Sequence, residues 1–191
     1  MYLLAKSRAG SGAVLLWVAS IAVILLFPSV VVPVPNFSGT APLVVLFVPS
    51  LSAACVSTLV ATPLTDIERL STRPIGAYIM ALLFCATAAF SVAVLTLTAI
   101  GGWGVGLLSL RNYLGYIGIG LIGSSLAKDV GPALPILVAA VLGVAVSPAD
   151  SFVFAWAVSL ETQSQLWVAP VTLACLGGFI IYSSMRRDRV S

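Results

Sequence analysis

From Ala9 to Thr65 the chain carries no charged residue. A spanning helix needs about 20 mainly apolar residues, and two runs of that kind fit between these positions, separated by Pro33-Val34-Pro35-Asn36-Phe37-Ser38-Gly39-Thr40. Similar runs recur to the C-terminus. Across the 191 residues, 60% are hydrophobic and only 8% charged, whereas an ordinary soluble domain carries roughly 25% charged residues. A soluble fold of this size has too little interior for so much apolar surface. A bilayer removes that difficulty, and because lipid cannot satisfy backbone N–H and C=O groups, spanning segments must be helices or a closed barrel. The runs lack the alternation of barrel strands. The sequence therefore predicts an all-α fold, a polytopic transmembrane helix bundle forming one domain over residues 1–191.

Six spans are expected, over about 11–32, 41–61, 75–100, 112–127, 130–146 and 166–184. The run after Lys6 and Arg8 is longer than a signal-peptide core and no small-residue cleavage site follows it, so it reads as a first span that stays. With the N-terminus inside, the cytoplasmic segments hold Lys6, Arg8, Arg69, Arg73, Lys128, Arg186, Arg187 and Arg189, and the external side holds only Arg111. The positive-inside rule favours that orientation, and an even number of spans keeps both basic ends in the cytoplasm. The expected location is the plasma (inner) membrane, with both termini cytoplasmic.

Several function classes lose their footing. The chain has no histidine, which removes the commonest general base and metal ligand. Cys55, Cys85 and Cys175 lie in three different apolar runs without metal-type spacing, and read as small packing residues. Gly118-Ile119-Gly120-Leu121-Ile122-Gly123 matches a dinucleotide-binding pattern, but that pattern works only between a strand and a helix, and here it sits inside an apolar run. No Walker-type loop and no acid within a span is present, so neither ATP hydrolysis by this chain nor an ion-coupled relay is expected. The basic residues are scattered at run ends, which is membrane topology rather than a nucleic-acid footprint. No enzyme activity, metal or directly bound cofactor is expected.

Three stretches remain informative. Thr65-Asp66-Ile67-Glu68 is a capping-box sequence. It predicts a cytoplasmic connector helix over about 65–73, with Asp66 and Glu68 in the first turn and Arg69 and Arg73 later, as the helix dipole prefers. This helix is either a self-capped connector or a docking element for a cytoplasmic protein. Arg111 and Asn112 are expected at the external start of a short fourth span. There Arg111 either snorkels to the interface or turns inward to a path, a gate or an anionic head group. Gly120, Gly123, Ser124 and Ala127 fall on one side of that helix and are expected to form a helix–helix contact. Finally, an external segment over about 148–162 is apolar but too short to span. Its aromatic residues Phe152, Phe154 and Trp156 point to an interfacial or re-entrant element.

Six spans with both ends inside, an internal connector helix after span two and an external re-entrant-like segment after span five occur here in one order. In that order, and in the stretches Asp66-Ile67-Glu68-Arg69-Leu70-Ser71-Thr72-Arg73-Pro74 and Arg111-Asn112-Tyr113-Leu114-Gly115-Tyr116-Ile117-Gly118, the chain resembles the membrane (permease) subunit of type-2 ABC exporters, in particular small actinobacterial membrane proteins of this kind. The resemblance implies a bacterial export permease that pairs with another membrane subunit as a homo- or hetero-dimer. It also implies a separate ATP-binding subunit, docked on the connector, that supplies ATP. The alternative is a non-transporting membrane protein, an immunity, assembly or scaffold factor acting by helix packing in the bilayer.

Overall fold

The computed structural model describes residues 8–27, 31–33, 40–61, 75–101, 103–127, 130–145, 155–158 and 164–187. The first helix, α1 (Arg8–Leu26), closes with Phe27 N–H donating to Val23 C=O at 3.0 Å. Pro28 follows, and a residue before proline is driven out of the α region, so the helix stops there. The first span was expected to run to Val32. Instead the chain turns extended: β1 (Val31–Pro33) pairs antiparallel with β2 (Thr40–Pro42), Val32 opposite Ala41. The two strands form a small two-stranded ribbon in an otherwise helical fold.

Helix α2 (Leu43–Ala61) contains Pro49, and the Ser50 hydroxyl donates to the nearby Phe47 carbonyl at 2.8 Å. It packs on α1, where the buried hydroxyls of Ser20 and Ser52 meet at 2.5 Å. Helices α3 (Ile75–Gly101) and α4 (Trp103–Leu126), one residue apart in sequence, pack antiparallel. Phe90 lies opposite Tyr113, while Val94 and Thr98 lie opposite Gly106. The fourth span was expected from Asn112, and the helix that contains this residue begins nine residues earlier, at Trp103. At about 1.5 Å per residue α4 is about 36 Å long, so the fourth helix is not short.

A 3₁₀ turn (Gly131–Ala133) leads into α5 (Leu134–Ala145), antiparallel to α4: Gly131 sits against Gly123 and Pro135 near Gly120. One helical turn, α6 (Ala155–Val158), and a second 3₁₀ turn (Ser164–Trp167) precede α7 (Val168–Arg187). Helix α7 runs parallel to α4, because Gly118 faces Leu173 and Ala174 while Gly177 faces Gly118 and Leu121.

Helix α4 is the centre of the arrangement. Gly118 and Gly120 are two residues apart, hence about 200° apart around the axis, and they let two different neighbours approach. A Cβ at Gly118 would fall into the backbone of Leu173–Ala174 in α7, and one at Gly120 would meet Ser57 of α2. The core around α4 joins Val56, Phe90, Val94, Tyr113, Tyr116 and Leu142.

The outer surface is apolar. Leu15, Leu26, Phe84, Leu126 and Phe179 are each at least two-thirds exposed, while Ser52, Ser57, Ser109, Arg111 and Asn112 are fully buried. Two windows among the described residues, Ile79–Thr96 and Ser164–Ser183, are long and apolar enough to cross a membrane by length and composition. Only 28% and 17% of them are buried, unlike the core helix of a soluble domain. Shorter apolar helices cover Ser11–Val23, Phe47–Val60 and Gly131–Leu142.

Candidate functional site

The distinctive chemistry lies in one turn of α4. Arg111, Asn112 and Tyr113 are each 0% exposed, as is Tyr116 one turn on. Arg111 is eight residues from the start of α4, about 12 Å along its axis. It therefore sits in the helix interior and not at the helix start, and of the two expected alternatives, snorkelling or turned inward, the buried side chain corresponds to the inward one. A guanidinium is rarely buried without hydrogen-bonding partners, because desolvation is expensive. Its Nε–H is directed at the Asn112 Oδ1, at a long 3.5 Å. All six acidic residues of the chain lie outside the described residues.

Asn112 joins this group to α6. Its Nδ2 donates to the Ala157 carbonyl at 3.1 Å. The two contacts agree on which way the carboxamide faces, since only its oxygen can accept from a guanidinium and only its nitrogen can donate to a carbonyl. The neighbouring Trp156, 2% exposed, lies over Gly115, where a Cβ would strike the indole ring. The same indole meets the Tyr116 ring edge-on, centroids 5.6 Å apart at 64°. On another face of α4, Tyr113 stacks on Phe90 at 4.1 Å and 13°. Its hydroxyl finds no hydrogen-bond partner among the described residues. The hydroxyls of Tyr116 and Ser57 likewise find no hydrogen-bond partner among the described residues.

The helix-packing residues separate. Gly120 and Gly123 lie where α2, α5 and the first 3₁₀ turn approach α4, and Ser124 is buried with its hydroxyl turned back to the Gly120 carbonyl at 2.6 Å. Ala127 does not belong with them: it is exposed and lies just beyond the last residue of α4. Gly115 and Gly118, which sequence reasoning did not single out as contacts, hold the closest approaches of Trp156 and α7. A glycine flanked by apolar residues was the available signal. Asp66, Glu68, Arg69 and Arg73 of the connector lie outside the described residues, as do most of 148–162. Within that segment α6 is turned into the protein, with Trp156 and Ala157 both buried. Among the described residues no cluster of metal-ligating side chains forms.

The fold and this centre define a helical protein with apolar outer faces and a sealed polar group on its central helix. Compared with protein-family profiles, curated proteins and solved structures, the chain finds no match in any of the three.

Proposed function

We propose that the chain is a six-span membrane protein, both termini cytoplasmic, that serves as the permease subunit of an ABC-type exporter driven by a separate ATP-binding subunit. The observation that supports it best is the polar centre at Arg111, Asn112, Tyr113 and Tyr116, sealed inside a helix about 36 Å long. Ionisable groups at membrane depth are costly and mark pathways, relays or ligand contacts more often than they serve packing. The apolar outer faces of α1, α3 and α7 suit lipid contact. The directions of the helices agree with alternating spans, since α4 runs opposite to α3 and α5 and parallel to α7. ATP belongs on the partner subunit in this reading, and a second membrane subunit completes the path.

A second reading is favoured by one feature. Arg111 and Asn112 have no exposed surface in this conformation, so they do not line an open passage. That suits a non-transporting immunity, assembly or scaffold factor, in which the polar centre fixes one helix arrangement.

Purification of the tagged protein in mild detergent separates the two. The export reading expects an ATP-binding protein to co-purify near one-to-one. Recovery of the chain alone, under conditions that keep ABC complexes intact, would sink that reading and leave the scaffold one.

A further inference from the structure

We infer that α6 is a releasable cap over the polar centre of α4, seated by Trp156 in the Gly115 notch and tied by the bond from Asn112 to Ala157. Two attachments at adjacent residues hold this single turn on α4, one steric and one polar. Gly115 leaves room for the indole only because it has no side chain. Asn112 reaches the backbone of the next residue, Ala157, so the bond does not depend on that residue's own side chain.

The seated state carries a penalty that release would relieve. Closing α6 presses the indole edge-on against Tyr116, whose hydroxyl is buried without a partner among the described residues. A buried phenol that has lost its water partner opposes burial, and lifting α6 takes away the indole packed against this ring. Asn112 loses one bond on release, but its freed N–H then faces the opening. The cap therefore closes with an apolar plug and opens onto hydrogen-bonding groups, Asn112 and Tyr116, with Arg111 beside them. Nothing in this device needs transport, so it stands or falls independently of the export reading.

Cysteine protection measures it directly. In the full chain, with Cys85 and Cys175 replaced by alanine, Ala157→Cys is introduced at the buried position. Cys55, buried in α2, is kept as an internal reporter of global opening. Labelling by N-ethylmaleimide in micelles is followed at both positions by peptide mass. A releasable cap predicts slow labelling at position 157 that Cys55 does not share. Gly115→Ala wedges the indole out and Trp156→Ala removes it, and each should speed labelling at position 157 about tenfold or more, the scale of one lost buried contact. Gly178→Ala, where a Cβ meets nothing within 4 Å, should leave the rate unchanged. Unchanged protection at position 157 in both Gly115→Ala and Trp156→Ala overturns the proposal. So does labelling of Cys55 in step with position 157.

Discussion

Asn112 donates its carboxamide N–H to the carbonyl of Ala157 at 3.1 Å, across 45 residues of sequence. Through its oxygen the same side chain receives the Nε–H of Arg111. One residue thus links the only buried cation among the described residues to the turn that covers it. Replacing Asn112 by alanine removes both contacts and leaves a buried carbonyl and guanidinium N–H less satisfied. Asn112→Ala should lower stability by about 1–3 kcal/mol, seen as a lower midpoint of thermal unfolding in detergent. An unchanged midpoint would mean that the contacts carry no net stability.

Substitution at two glycines should have opposite consequences. A Cβ at Gly118 runs into the Leu173–Ala174 backbone, which cannot swing aside as a side chain end can, whereas a Cβ at Gly178 meets nothing. Overpacking costs roughly 1–3 kcal/mol and sometimes more, so Gly118→Ala should destabilise by at least that. Gly178→Ala should be neutral or gain up to about 1 kcal/mol from helix propensity. Comparing the two midpoints in one detergent checks the parallel α4–α7 contact.

Phe90→Ala tests how the core is held together. In a soluble core the change costs about 3–5 kcal/mol, part of it the transfer of the ring from water. Between membrane helices the unfolded reference also sits in lipid, so the transfer part drops out. The remaining loss is packing and the stack on Tyr113, about 1–3 kcal/mol. Reversible unfolding in bicelles measures it, and a loss near 5 kcal/mol would contradict the lipid setting.

These sites also show what was legible in advance. The bounds of α3 follow from an unbroken apolar run ending in paired glycines. The start of α4 does not. The fourth span was expected from Asn112, since glycine disfavours isolated helices, yet Gly106 already lies within α4 and is the notch that admits Thr98 of α3. That misreading moved Arg111 from the helix interior to its edge. The early end of α1 was signalled by Pro28, but the hydrophobicity of Val30-Val31-Val32 masked it. Small residues on α4 gave away close packing on one face only. Gly115 and Gly118 serve other faces, and a pattern of small residues cannot say which neighbour arrives.

Exchanging charge on the connector tests the export reading through residues far from α4. Glu68→Lys with Arg69→Glu should abolish association with an ATP-binding subunit while membrane insertion stays normal, read by co-purification beside a membrane-fraction blot. Retained association would show that this loop does not dock the partner.

In the proposed membrane arrangement α4 crosses the bilayer with its sealed polar centre inside, and sided labelling tests that crossing most directly. Gly104→Cys and Ala127→Cys, at the two ends of α4, are made singly in the chain with Cys85 and Cys175 replaced, and treated with a membrane-impermeant maleimide. A crossing helix with its C-terminal end inside labels at position 104 in intact cells and at position 127 only in inverted vesicles. Labelling of both from the same side would contradict it.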